Sequence, residues 1–312
     1  MRLTSLRLLV QHLSFVVLMY GGRVGINLGP ALPCFACPYV AGCGGYCYLM
    51  GLQGYIGFGL SWSVLFGFYG LKALGWFLVF LGLVALLGKA WCGWVCPFGL
   101  VQDWLSALRR RLGWREAQIS APALNRLGWI KYGLLAYLAL LPPLVTAGWL
   151  HPDFYLPFCN ICPAKPLLPL LAGQTQYLSL DFTNTITLAF TTLSLLIAGG
   201  MLVGMFFKDR FFCQFCPLLA LIHIVKPLTA LRLAKAPHLC HGCGTCRRGC
   251  PMDIEEVHQE RERADVQTGP CLNCGRCLES CPTDGSLNFK WLGLRLLSSS
   301  RRLALGLPRI KP

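Results

Sequence analysis

The chain has 312 residues, of which 55% are hydrophobic and only 13% charged, and it carries a formal net charge of +15. That composition excludes an ordinary soluble protein and points to the membrane class. The basic excess then reads as topology rather than nucleic-acid binding, because Lys and Arg accumulate on the cytoplasmic loops of membrane proteins.

In chain order, the N-terminus starts basic, turns apolar and lacks a small-x-small cleavage site, which is the pattern of an uncleaved signal anchor. Four membrane spans are predicted: Leu8 to about Leu28, Ala73 to Gly88, Tyr132 to Leu150 and Thr185 to Phe207. Lys72 and Lys89 flank the short second span and can snorkel to the interfaces. Basic residues follow span two (Arg109, Arg110, Arg111, Arg115, Arg126, Lys131) and span four (Lys208, Arg210, Lys226, Arg232, Lys235). Those ends are expected in the cytoplasm, which puts both termini inside a bacterial inner membrane. Gly29–Gly70 and His151–Asn184 contain one basic residue, Lys165, and are expected outside. Within the first of these, Gly54–Gly70 reads as a re-entrant or interfacial helix, since a fifth span would flip the Arg109–Arg115 cluster outward.

Cysteine is the anomalous residue, at 18 positions and mostly in C-x2-C or C-x3-C spacings, which is a metal-binding pattern. No C-x-x-C-H occurs, so covalent haem attachment is not indicated. The two halves of the membrane part repeat one order of features, giving a hairpin at 1–126 and another at 127–235. Cys34/Cys37 and Cys159/Cys162 follow spans one and three, whereas Cys92/Cys96 and Cys213/Cys216 follow spans two and four. Packed about a pseudo-two-fold axis along the membrane normal, the hairpins could bring Cys34, Cys37, Cys159 and Cys162 into an outer four-thiolate site. Cys92, Cys96, Cys213 and Cys216 could form an inner one. Four thiolates suit an iron-sulfur cluster or structural zinc. The competing readings are disulfides for the outer set and inert buried thiols for either. Cys43 and Cys47 extend the first motif to C-x2-C-x5-C-x3-C, which could ligate a cluster alone and leave Cys159 and Cys162 as a disulfide or as further ligands.

From about Ala236 apolar runs give way to charged and turn residues, and the motif C-x2-C-x2-C-x3-C-P occurs twice. This marks 236–290 as an α+β domain of the bacterial 2[4Fe-4S] ferredoxin type, followed by a basic tail at 291–312. Three thiolates on a tight loop reach three corners of one cubane, while the fourth points to the neighbouring cluster. Cys240, Cys243, Cys246 and Cys281 are therefore assigned to the first cluster, and Cys271, Cys274, Cys277 and Cys250 to the second. Gly242, Gly244 and Gly275 let the backbone wrap closely, and Pro251 and Pro282 end the loops. Two clusters held this close serve a one-electron relay.

The combination of WCGWVCPFG and FFCQFCPLL after spans with a C-terminal dicluster domain resembles the membrane polyferredoxins, which include the NapH subunit, the membrane part of NosR and CcoG. The resemblance implies membrane electron transfer between the quinone pool or a cytoplasmic donor and a partner redox complex, with quinone as a potential ligand. Two further readings stand beside it: a quinol dehydrogenase in its own right, and a redox or assembly factor for a metalloenzyme. A quinol site would need a proton acceptor, for which His151 and Asp153, or Gln11 and His12, are the candidates. No nucleotide-binding glycine motif, flavin signature or catalytic triad is visible, so no catalytic residue is assigned.

Overall fold

The computed structural model describes residues 3–58 and 67–305. In chain order its membrane part contains α1 (Leu3–Tyr20), α2 (Tyr48–Phe58), α3 (Phe68–Leu87), α4 (Pro97–Arg111), α5 (Ala121–Thr146), α6 (Pro157–Ile161), α7 (Ala164–Leu171), α8 (Thr185–Phe207), α9 (Phe211–Phe215) and α10 (Pro217–Ile224). Of these, α1, α3, α5 and α8 are long and apolar enough to cross a membrane. Their outward faces, such as Leu13 and Val16 on α1 and Leu74 and Leu78 on α3, are exposed, as lipid-facing side chains are, while Phe80 and Val84 of α3 are fully buried.

The helices overrun the charge-free windows of the sequence. α1 begins at Leu3 and takes in Arg7, α3 begins at Phe68 and takes in Lys72, and α5 begins at Ala121 and takes in Arg126 and Lys131. Buried Arg7 faces Asp103 at 3.5 Å, so this cation is partnered inside the fold rather than excluded from the helix. At its other end α5 stops at Thr146 instead of Leu150, because Gly148 adopts a left-handed φ of 77°. α8 keeps the expected bounds, opened by Asn184, whose Oδ1 accepts the Ile186 amide at 2.6 Å. The segment Gly54–Gly70 begins within α2, and its residues 59–66 lie outside the described residues.

Consecutive spans alternate in direction. The Thr4 amide near the start of α1 donates to the Glu279 carboxylate of the C-terminal domain at 2.9 Å. At the end of α3, the Ala230 amide donates to the Ala85 carbonyl at 2.7 Å and Trp291 Nε1 to the Leu86 carbonyl at 3.1 Å. Leu124 of α5 lines a cavity with Met252 and Pro270, and Lys208, just past α8, pairs with Asp253. α1 and α5 therefore run away from the C-terminal domain, and α3 and α8 run toward it.

That domain is built on the antiparallel sheet β1 (Leu231–Lys235), β2 (Leu287–Trp291) and β3 (Leu294–Ser298), with β2 in the centre. Leu231 pairs with Trp291 and Lys235 with Leu287, so the sheet draws in residues on both sides of the 236–290 segment read from composition. Two short helices, α11 (Thr245–Arg248) and α12 (Arg276–Ser280), carry the third thiol of each motif.

Asp103 on α4 joins the parts. Its carboxylate accepts two hydrogen bonds from the Arg210 guanidinium, lies 3.5 Å from Arg7 and lies 3.7 Å from Arg276 of α12. Arg210 is buried with a left-handed φ of 54°, a conformation that costs a non-glycine residue about 1–3 kcal/mol and persists where the surroundings over-determine it. Here the Asp103 contacts do so. Removing one member of a buried pair leaves a desolvated charge and costs about 3–5 kcal/mol. Asp103→Leu is expected to lose stability of that order, read as a lowered urea midpoint in detergent; an unchanged midpoint would show that the network does not hold the fold.

Candidate metal centres

The two C-terminal motifs fold into matching loops. Gly242 and Asn273 hold the same place in each copy and both have positive φ, 72° and 50°, while Gly244 and Gly275 follow at 72° and 78°. Asn is the residue besides Gly that tolerates this region best, which is why the second copy can dispense with one glycine. One cavity is lined by Cys240, Cys243, Cys246 and Cys281. A second is lined by Cys250, Cys271, Cys274 and Cys277, with Cys246 in the wall between. The fourth cysteine of each motif thus lines the cavity of the other motif's three. Lys235 is buried beside the first cavity, donating to the carbonyls of Val257, His258 and Glu260. Cys243 is the exposed thiol of this domain, and the nearby Thr245 hydroxyl and amide hold its pKa below the usual value.

Cys92 lies on a single π turn, Trp91–Val95, and Cys96 just after it, closing the turn with its amide on the Trp91 carbonyl at 3.0 Å. Cys213 and Cys216 lie on and just after the one-turn helix α9. The wider turn absorbs one more residue, so C-x3-C in one place and C-x2-C in the other present comparable pairs. Cys216 is within electrostatic reach of Cys92, Cys213 and Cys96, and all four thiols are buried, although among the described residues no three Cys, His, Asp or Glu side chains converge closely enough to hold a single metal ion. Gln102 Nε2 lies 3.6 Å from Cys213 Sγ while its Oε1 accepts the Phe212 amide at 3.0 Å. Arg210 lies within electrostatic reach of Cys92, Cys96 and Cys213, and Lys131 of Cys216.

On the other side, Cys37, Cys159 and Cys162 gather with Cys47. Cys34, which the repeat also assigns to this group, lies within electrostatic reach of Cys96, Cys92 and Cys47. The reason is the loop after α1, which folds back so that the Phe35 ring meets Phe98, Phe158 and Phe212 at centroid distances of 5.2–6.2 Å. Cys43 is half-buried at the rim, near Cys37. All eighteen cysteines are free thiols.

The dicluster domain sits on the Cys92 turn. Gly93 packs so closely that a Cβ there would meet the Leu272 carbonyl oxygen at 2.5 Å and the Cys274 Cα at 3.2 Å. Trp94 Nε1 donates to the Asn273 carbonyl at 3.0 Å, and buried Lys89 donates to the carbonyls of Thr268 and Gly269 at 2.6 and 2.9 Å. Lys89 also lies 3.1 Å from His223 Nδ1; burial first, then the neighbouring Lys89, Lys131 and Lys226, push that imidazole's pKa down to about 4, so it is neutral and accepts. The residues fit an anionic cluster. Arg7 is buried within electrostatic reach of Cys274, and Nε, Nη1 and Nη2 of its guanidinium have no hydrogen-bond acceptor, which the sulfurs of a cluster at Cys250, Cys271, Cys274 and Cys277 would supply.

The quinol candidates have other duties. His151 Nδ1 lies 3.1 Å from Asp153, whose carboxylate also accepts from Asn184 at 3.3 Å, tying the α5–α8 connection together. Gln11 Nε2 donates to the Gly93 carbonyl at 3.2 Å, and His12 Nε2 accepts Trp104 Nε1 at 3.1 Å. Sequence reasoning passes over Gln53, Gln102, Arg7 and Asp103, and reads Lys89 as a snorkelling flank, whereas it is buried with its ammonium on the Thr268 and Gly269 carbonyls. Gln53 and Gln102 had a signal, since each stands six residues after a cysteine, Cys47 and Cys96.

A family model described as a 4Fe-4S binding domain matches twice, over residues 69–115 and 190–233, and a 4Fe-4S dicluster domain model matches 232–282. The first holds Cys92 and Cys96 in one copy and Cys213 and Cys216 in the other. MJ0750 of Methanocaldococcus jannaschii is 30% identical over 61% of this chain and 69% of its own length. The chain belongs to the membrane polyferredoxin family. YccM of Escherichia coli is 26% identical over 56% of the chain, and the methylamine utilization ferredoxin-type protein MauN of Methylorubrum extorquens is 28% identical over 58%. The chain spans only 44% of YccM and 54% of MauN. No solved structure matches.

Because Gly93 has no room for a side chain, Gly93→Val should push the dicluster domain off the Cys92 turn at a cost of about 1–3 kcal/mol. Hydrogen exchange should then rise in residues 268–276; protection equal to the parent would mean that the two parts are not docked through this contact.

Proposed function

We propose that this polyferredoxin is an iron-sulfur electron-transfer subunit that carries electrons between a soluble donor or the quinone pool and a partner redox complex. The observation that carries the reading is the seat of Leu272–Cys274 directly on Gly93, which makes the dicluster loop and the membrane thiols one continuous structure. Cys240, Cys243, Cys246 and Cys281 would hold one cluster, Cys250, Cys271, Cys274 and Cys277 the second, and Cys92, Cys96, Cys213 and Cys216 a third. Such clusters supply reversible one-electron chemistry when bound.

The chain's own residues arrange those sites in a graded series. Cys243 is exposed, with exposed Arg247 and Arg248 beside it, a surface suited to an acidic soluble partner. Cys271 and Cys281 are buried, and the Cys92 set is buried throughout. Lys89 stands at the junction, within electrostatic reach of both Cys271 and Cys92. The clustering of Arg109, Arg110, Arg111 and Arg115 after α3, together with the basic residues after α8, supports a cytoplasmic position for the dicluster domain and for both termini. The relative MauN is a ferredoxin-type protein, which agrees with an electron-carrying role.

The test is metal analysis of anaerobically purified full-length chain. Cys92→Ser and Cys213→Ser should each lose about four irons per chain while the low-temperature EPR signals of the dicluster domain persist. Full iron retention in both variants would remove the membrane site from the relay.

A further inference from the structure

The thiols on the far side of the fold repeat, contact by contact, the site beside the dicluster domain. Gln53 on α2 donates through Nε2 to the Leu49 carbonyl at 2.9 Å and lies 3.5 Å from Cys159 Sγ, while its Oε1 accepts the Phe158 amide at 2.9 Å. Gln102 on α4 donates to the Phe98 carbonyl at 3.3 Å, lies 3.6 Å from Cys213 Sγ, and accepts the Phe212 amide at 3.0 Å. Both glutamines are fully buried, at 0% and 1% exposure. Each stands six residues after a cysteine at a helix start, and each binds a Phe-Cys-x2-Cys-Pro segment, Phe158–Pro163 or Phe212–Pro217.

The surroundings repeat too. Cys47 Sγ receives the amides of Leu49 and Met50, and Cys96 Sγ those of Phe98 and Gly99, at corresponding places in the first turns of α2 and α4. Cys162 and Cys216 are followed in the same way by α7 and α10, whose first turns offer the Ala164 and Leu219 amides. A cation stands by in each case, Lys165 near Cys159 and Arg210 near Cys213. Since α1 and α5 run away from the dicluster domain while α3 and α8 run toward it, the two constellations are inverted copies. An inverted repeat of this kind brings equivalent groups to a shared interface.

We propose that Cys37, Cys47, Cys159 and Cys162 form a second iron-sulfur site in the membrane part, an inverted copy of the Cys92 site, in which Cys37 replaces the copy's own Cys43. Cys43 has turned outward: its Sγ lies 4.0 Å from the Pro38 carbonyl and it is half-buried, whereas the other four are buried. Cys37 is brought in by the folded-back loop, which the Cys47 amide fastens by donating to the Ala36 carbonyl at 2.9 Å. The chemical class is a cluster with four thiolate ligands, either [2Fe-2S] or [4Fe-4S]. Gln53 is a positioning residue, its amide N–H beside the Cys159 sulfur. The site extends the proposed relay away from the dicluster domain, but its ligands are chosen by the repeat and not by that reading.

The experiment is iron and acid-labile sulfide content with Mössbauer spectra of the anaerobically purified full-length chain, parent against Cys47→Ser/Cys159→Ser, Cys43→Ser and Gln53→Leu. The double variant should lose about two to four irons with matching sulfide, while the dicluster EPR signals report that the chain is folded. Cys43→Ser should keep the full complement, and Gln53→Leu should keep iron but shift the EPR signal of one cluster. Unchanged iron in the double variant overturns the proposal, as does stoichiometric zinc or a Cys-to-Cys disulfide in place of the lost iron. The Cys92→Ser and Cys213→Ser variants test the neighbouring site separately, so either site can fail without the other.

Discussion

Holding anionic clusters in a low-dielectric layer requires positive charge to be buried with them, and the rest of this structure follows from how that is done. Moving an ion into the interior costs several kcal/mol, and two opposite charges 4 Å apart return about 4 kcal/mol at an effective dielectric of 20. A lone buried cation would not survive that comparison; one shared between an internal carboxylate and a cluster would. Asp103 performs the sharing. It holds Arg210 by two hydrogen bonds, stands 3.5 Å from Arg7 and 3.7 Å from Arg276, and these guanidiniums in turn reach Cys213 and Cys274.

The same contacts decide where the dicluster domain sits. Arg276 belongs to α12, so the carboxylate on α4 that steadies the membrane thiols also draws in the helix that bears Cys277. Arg276 reaches Asp209 as well, at 3.6 Å, and Asp209 takes Arg109 at 2.7 Å. Apolar packing alone would leave the domain free to slide on the membrane part. Directional ion pairs and the close backbone approach at Gly93 fix one register, and electron transfer depends on register because it falls off steeply with separation.

Much of this was legible in the sequence, for reasons that lie in the chain's local geometry. That each motif's fourth cysteine lines the other motif's cavity is what loop spacing leads one to expect, since cysteines two or three residues apart can only meet the same cluster or the one beside it. The four long apolar helices follow from apolar length, although they extend past the charge-free windows wherever a helix carries a partnered charge, as at Arg7. What spacing does not show is the closure of a long loop. Cys34 and Cys37 sit in one C-x2-C motif, yet the loop's fold leaves Cys34 within reach of Cys96, Cys92 and Cys47, and Cys37 within reach of Cys47, Cys159 and Cys43. Phe35 decides this, because its ring fills the space among Phe98, Phe158 and Phe212, and no local rule foretells that packing.

Cys34 differs from the other buried thiols of the membrane part in what surrounds its sulfur. A sulfur that is to become a thiolate needs N–H groups or a cation aimed at it. Cys96 receives the amides of Phe35, Gly99 and Phe98, Cys213 has Arg210 and Gln102, Cys159 has Gln53 and Lys165, and Cys37 has the Tyr39 amide. Burial pushes the Cys34 thiol far up, and its electrostatic neighbours, Cys96, Cys92 and Cys47, all push the same way, with no donor or cation against them. Cys34 thus lies between the two sets of thiols, within reach of Cys96, Cys92 and Cys47.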